Sequence, residues 1–312
     1  MRLFTRKPRL LLPQFRPLPP RRERGLLSPF ACGFGKVVTN YSAPSTTPGT
    51  SITPGTSDAM GSFTEFISDT LVTDDCYGIW LNFHTSNASA QARPILVDIG
   101  ADPAGGTSYG VIIPNLNAAC AWTWSNAAAP AGHFYYFPLF IKAGTALAAR
   151  AQVGNTTALT LRVVARLFAK PKRPELLRCG AYVDAIGIDA ANSRGTAITP
   201  GASSGEGAAW VSLGTLPRPA WWFQAGFSVD DSTMTAGAMN LDIYTGDASN
   251  KVPIISDMAF FTGGSEIISG EIYNSMDAHQ ELASGAELFA RASFSGSPVD
   301  SNNSAMAYAL GG

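Results

Sequence analysis

A few short constellations in this 312-residue chain have residue types that could do chemistry. Gly201–Gly205 reads GASSG and fits the GxSxG pattern of a nucleophile elbow, in which Ser203 would attack an acyl carbon. That chemistry needs the serine on a sharp strand-to-helix turn, whereas this one lies in a Gly/Ser-rich loop. His279-Gln280-Glu281 has the His-x-Glu of zinc deaminases, but no cysteine pair follows to complete the ligand set. Asp74-Asp75 and Asp230-Asp231 are carboxylate pairs of the kind that hold calcium. Because they fall at different strand ends in the two halves of the chain, they read as solvated loop ends. Three histidines (His84, His133 and His279) are too few and too scattered for an imidazole metal site. Cys32, Cys76, Cys120 and Cys179 never form a C-x-x-C pair, and they read as free thiols. No catalytic, cofactor or metal site emerges.

The elements that would position such groups are short strands. Apolar residues make up 46% and charged residues 14%, against about 25% charged in an ordinary soluble domain. With 31 Gly and 21 Pro, the chain favours strands joined by tight turns over long helices. No run of about 18 apolar residues is present to cross a membrane as a helix, and no secretory leader is read.

Order comes from an internal repeat. GTSITPGTS (Gly49–Ser57) returns as GTAITPGAS (Gly195–Ser203). In the same order YGIWLNF (Tyr77–Phe83) is matched by WWFQAGF (Trp221–Phe227), and LVDIG (Leu96–Gly100) by NLDIY (Asn240–Tyr244). AGTALAARA (Ala143–Ala151) is matched by SGAELFARA (Ser284–Ala292). The offset drifts from 146 to 141, as in a duplicated module that has gained and lost loop residues. Two-residue alternation marks strands at Tyr77–His84, Arg93–Ile99, Tyr109–Ile113, Phe134–Ile141, Thr145–Gln152 and Leu159–Phe168. The sequence therefore predicts an all-β protein: two tandem duplicated antiparallel β-sandwich domains, jelly-roll-like, preceded by an extended N-terminal arm. The boundaries read as arm 1–36, first sandwich 37–170, linker 171–179 and second sandwich 180–312. Prolines and basic residues in the linker suggest separately folded sandwiches on a short tether.

The arm carries nine basic residues against the single acid Glu23, on a chain whose net charge is −1. Six prolines among its first 30 residues exclude a continuous helix. Arg2, Arg6, Arg9, Arg16, Arg21, Arg22 and Arg24 are interleaved with Leu3, Phe4, Leu11 and Phe15. Such a segment suits an extended dock across another subunit, burying Leu and Phe while Arg pairs with acids. Arginine neutralisation of phosphates is the alternative use, though the arm lacks an aromatic ladder. Elsewhere Trp122, Trp124, Phe134, Tyr135, Tyr136 and Phe137 cluster in the first copy, and Trp210, Trp221 and Trp222 in the second. Exposed rings of this kind stack on sugars, and buried ones build a core or a subunit interface.

The phrase PLFIKAGTALAARAQ (Pro138–Gln152), echoed by ELASGAELFARAS (Glu281–Ser293), resembles a segment of tailed-bacteriophage structural proteins: strand, Ala-Gly-Thr turn, strand. The resemblance implies a virion component: a head fibre, decoration or spike protein, or a tail or baseplate subunit. It further implies a non-enzymatic role, docking by the arm to major capsid or tail subunits, and assembly in the cytoplasm of a bacterial host. Low charge and Ala/Gly-rich faces point to self-association as a trimer or ring. Two other readings stay open: a receptor-binding adhesin for host-surface glycan, and a capsid protein coating nucleic acid through its basic arm.

Overall fold

The structure is a computed structural model that describes residues 33–40, 49–56, 58–85, 95–118, 133–153, 161–174, 177–188, 195–202, 209–229, 237–247, 249–262, 269–270, 277–295 and 303–312. The first half contains β1 (Phe34–Thr39), β2 (Thr50–Ile52), β3 (Thr64–Ile67), β4 (Cys76–Thr85), β5 (Ile95–Asp102), β6 (Gly110–Asn117), β7 (His133–Phe137), β8 (Ala146–Val153) and β9 (Leu161–Pro171). One sheet runs β1-β9-β4-β7 with β2 also on β9, and the other runs β3-β8-β5-β6. In the second half β10 (Tyr182–Ile186), β11 (Thr196–Ile198), β12 (Gly201–Ala202), β13 (Val211–Thr215), β14 (Ala220–Val229) and β15 (Gly237–Gly246) come first. They are followed by β16 (Lys251–Thr262), β17 (Ser269–Gly270), β18 (Asp277–Leu282), β19 (Glu287–Phe294) and β20 (Asn303–Gly311). The sheets here are β10-β20-β14-β18 with β11 on β20, and β12-β19-β15-β16-β17 with β13 on β19.

The two strand orders are the same jelly-roll order, and the registers agree residue by residue. Leu81 faces Ala165 in the first copy, and Ala225 faces Ala307 in the second. Asp98 faces Arg150, and Asp242 faces Arg291. Thr64 faces Ala149, and Val211 faces Ala290. A one-residue slip would turn every side chain to the wrong face, so the shared register records one ancestral module.

The repeated phrase is the staple between the two sheets of each sandwich. Ahead of β2, Gly49 takes φ 86°, and a Cβ there would lie 2.4 Å from the Val163 carbonyl oxygen. Gly195 takes φ 108° ahead of β11, against the equivalent Ala305 carbonyl. Only glycine fits both demands. Ile52 and Ile198 then enter the cores. After Pro54 and Pro200 the chain crosses to the other sheet, where Gly55 bridges Gln152 and Gly201 pairs Ser293, both parallel.

Three local expectations change. Phe34–Lys36, assigned to the arm, begin the first sandwich: β1 pairs β9, and Phe34 packs on Phe168 at 5.2 Å. The predicted strand Phe134–Ile141 stops at Phe137, because Pro138 has no N–H for the ladder. The linker is also no free tether. Gly180 exchanges backbone bonds with Pro138 and Phe140, and the Cys179 thiol donates to the Tyr77 carbonyl. One apolar cluster runs through the first sandwich and on into Val183, Trp222, Met306, Tyr308 and Leu310 of the second. The second sandwich has its own interior cluster around Phe223, Phe227, Leu241 and Ile255. The sheet carrying β20 is thus buried on both faces, and all nine residues of β20 are buried.

Candidate functional site

The arm residues Arg2, Leu3, Phe4, Arg6, Arg9, Leu11, Phe15, Arg16, Arg21, Arg22 and Arg24 lie outside the described residues, as do Ser203, Asp230, Asp231, Trp122 and Trp124. The described start of GASSG, Gly201–Ala202, is the short parallel strand β12 and leads into no helix among the described residues. His84 falls on β4, His133 on β7 and His279 on β18. Asp74 bonds Lys36 at 2.8 Å and meets Lys170 at 3.3 Å, so Lys36 above all holds its carboxyl at about 2. Asp75 accepts the Ala143 N–H at 2.9 Å, capping a turn. No group of three or more metal-ligating side chains forms among the described residues.

Five of the aromatic residues weighed for sugar stacking meet at the seam between the sandwiches. Tyr135, Tyr136, Phe137, Trp221 and Trp222 are all buried there, which removes their faces from any ligand. Tyr135 and Phe137 both stand edge-to-face against Tyr308, with centroids 5.4 and 6.4 Å away. Tyr136 does the same against Trp222 at 6.0 Å. Trp221 stands two residues before Phe223 on β14 yet joins the seam while Phe223 enters the second interior, and the β14–β18 ladder is irregular between Ala220 and Trp222. The Arg178 guanidinium covers it at 4.2 Å.

At the centre of the seam sits a polar knot. The Asn117 backbone N–H donates to the Tyr308 hydroxyl at 2.7 Å, and that hydroxyl donates to the Asn115 carbonyl at 2.9 Å. The Tyr135 hydroxyl donates to the Asn117 carbonyl at 2.6 Å, and the Asn117 side-chain amide donates to the Phe227 carbonyl at 3.1 Å. Burial raises both phenols well above their ordinary pKa, so they stay donors. Four strands from two sandwiches are fixed by four bonds.

A second arrangement is duplicated and lies on the outer face of the β3/β8/β5/β6 sheet and its counterpart. Asp98 and Arg150 are directly opposed across strands, close enough to pair. Asp98 Oδ2 accepts from Arg150 Nε at 2.9 Å and Nη2 at 2.8 Å, while Oδ1 accepts the Asn115 N–H at 2.9 Å. In the second copy Asp242 accepts Arg291 Nε at 2.9 Å and the Asp257 N–H at 2.8 Å. Asn115 and Asp257 both sit at positive φ, 50° and 53°, a conformation short polar side chains tolerate. An aromatic ring roofs each arginine: Phe63 at 4.8 Å and Trp210 at 4.4 Å. Sequence reasoning did not single these residues out, although LVDIG/NLDIY and ALAAR/ELFAR carry both pairs in register.

The two stations then diverge. In the second copy Tyr244 and Phe289, opposed on β15 and β19, fill the sheet face under Trp210, with the Tyr244 ring tilted against Trp210 at 4.6 Å and Lys251 lying over Phe289 at 4.0 Å. Their counterparts in the first copy are Gly100 and Ala148, also opposed. The Phe63 ring and Tyr109 close over Gly100, and beside them lies an open cleft of about 600 Å3 lined by Ser62, Phe63, Glu65, Thr107, Tyr109 and Arg150 together with Gly61. That volume falls in the roughly 300–1,000 Å3 range of small-ligand sites. Phe63 and Tyr109 rings tilt together at 5.5 Å, and the Tyr109 hydroxyl donates to Glu65 Oε2 at 3.0 Å. Burial, and then that bond, push the phenol up to about 12.

No protein-family model matches the chain, and none of the curated proteins does. Among solved structures it is similar to PNGF-II, at 10% identity over 88% of this chain and 65% of that one, with a TM-score of 0.34. It is also similar to the STIV MCP, at 9% identity over 88% and 96% of the two chains, with a TM-score of 0.32. A third is the N-terminal CBM22-1–CBM22-2 tandem domain of Paenibacillus barcinonensis Xyn10C, at 12% identity over 88% and 90%, with a TM-score of 0.25. The chain thus spans a little under two thirds of the first of these, and likenesses so distant assign it neither an activity nor a ligand.

Proposed function

We propose that the protein is a non-enzymatic structural component of a phage virion, docked to capsid or tail subunits by its N-terminal arm. The observation that carries this reading is the coupling of two jelly rolls, locked face to edge through a buried polar seam, to an arm that continues directly from edge strand β1. Such a block resists being pulled apart between its halves, and β1 anchors the point where the load would enter. Lys36, within β1, ties the strand to Asp74 in the turn ahead of β4. The apolar-basic sequence of residues 1–32 supplies buried anchors and charge partners for a protein groove. Exposed Val37, Phe140 and Val252 on an otherwise charge-poor body support self-association as a trimer or ring.

Truncation to residues 33–312 tests the docking role. The shortened chain should retain its β-sheet circular dichroism and thermal transition, yet be missing from purified particles. Normal incorporation of the truncated chain overturns the reading. Binding of free DNA or RNA through the arm, steeply weakened by salt, would transfer the arm to nucleic acid instead.

A further inference from the structure

We infer that the cleft walled by Phe63, Glu65, Tyr109 and Arg150 on the first sandwich is a binding site for a neutral sugar. Its walls match the two-sided chemistry of a pyranose, which has an apolar C–H face and an edge of hydroxyls. Phe63 and Tyr109 offer ring surface for the C–H face. Glu65 uses Oε2 for Tyr109, and Arg150 uses Nε and Nη2 for Asp98. Among the described residues, Glu65 Oε1 and Arg150 Nη1 are left to accept from and donate to adjacent hydroxyls. Ser62 and Thr107 add hydroxyls at the rim.

Preorganisation supports the assignment. Asp102 Oδ1 accepts the Ala104 N–H and Oδ2 the Ser108 N–H, each at 2.9 Å, which shapes the loop carrying Thr107 and Tyr109. A Cβ on Gly100 would come within 2.7 Å of the Phe63 ring and 2.9 Å of Tyr109 Cβ, so the two rings occupy the ground that Tyr244 fills in the other copy. A wall fixed before binding loses little entropy on binding. Charge selects among sugars. Arg150 is already neutralised by Asp98, and Glu65 leaves the cleft wall negative, so sialylated or sulfated glycans are repelled. The second copy's station, filled by Tyr244, Phe289 and Lys251, does not bind.

The full-length protein should be applied to an array of neutral, sialylated and sulfated glycans, and neutral hits titrated by calorimetry. Neutral oligosaccharides are expected to bind. Glu65→Ala and Tyr109→Ala should each weaken binding by roughly tenfold or more, the scale of one lost stacking or charged hydrogen-bond partner. Ser212→Ala, at the exposed position equivalent to Glu65, should leave it unchanged. Because Glu65 is exposed, its variant keeps the test valid if the Tyr109 variant fails to fold. Silence across the neutral glycans, a preference for acidic ones, or full binding by Glu65→Ala overturns the inference.

Discussion

Replacing Tyr308 with Phe removes one oxygen from the seam and nothing else. The side chain is fully buried, so no water reaches the gap. Its hydroxyl serves two backbone groups of the other sandwich, the Asn117 N–H at 2.7 Å and the Asn115 carbonyl at 2.9 Å. An orphaned buried donor costs about 1–3 kcal/mol, and losing the second bond adds about 1 kcal/mol. Together they predict a loss of about 2–4 kcal/mol. Urea unfolding followed by tryptophan fluorescence measures it, since Trp221 and Trp222 report the seam and Trp80 the first sandwich. Wild type should unfold in one transition and Tyr308→Phe at lower urea. Tyr135→Phe, which spares the Asn117 N–H, should cost less. Because both phenols bond Asn117, the double variant should deviate from additivity by more than about 0.5 kcal/mol. Tyr77→Phe, at a half-buried ring, should stay within about 0.5 kcal/mol of wild type. A Tyr308→Phe cost below about 0.5 kcal/mol, or two resolved transitions in the wild type, would refute a seam that couples the halves.

Gly49→Ala places a methyl against the Val163 carbonyl at positive φ and should lower stability by about 2 kcal/mol or more in the same urea assay, whereas Ser51→Ala, already the residue at position 197, should be neutral. Asp74 has a folded pKa of about 2 against an ordinary 3.8, with Lys36 the chief cause. Its contribution is therefore complete above pH 3.8 and is lost as pH falls through about 2. Acid titration of Asp74→Asn should show a shallower fall in stability between those limits, and an unchanged profile would contradict the Lys36–Asp74 tie. Burial pushes the Cys76 thiol up to about 12, so alkylation of the native protein at about pH 8, mapped by mass spectrometry, should spare Cys76 and label it after unfolding.

Legibility along the chain depends on how many faces of a strand meet something apolar. Strand β19, in the second sandwich, alternates in burial residue by residue, and its sequence ELFARASF shows the period plainly. Strand β20 is buried on both sides, so NSAMAYALG has no period to read, and its partnership with the first sandwich stayed hidden. The clearest signal of all was not a period but the recurrence of GTSITPGTS, because a positive φ, a core isoleucine and a sheet-crossing turn leave few residues free to drift. The short strands β2 and β3 escaped pattern reading for want of length. Prolines in the linker were a misleading cue: the Leu177 N–H closes a turn on the Pro174 carbonyl, and the backbone bonds at Gly180 with the Cys179 thiol tie its end to the first sandwich.

Duplication also explains why one copy holds an open cleft and the other a packed face. The Asp–Arg pair and its roofing ring hold the central strands of both copies, so neither can lose them without stranding a charge. Positions 100 and 148 carry no such duty. Gly100 and Ala148 face outward from a sheet whose interior is already filled by Val97, Ile99, Leu147 and Ala149. Large residues there, as at Tyr244 and Phe289, gain contact with the roof; small ones expose the arginine and let the β5–β6 loop fold down over the ring. A fixed frame with two unconstrained positions at its centre is the arrangement in which a binding face can arise in one copy while the other keeps the frame rigid.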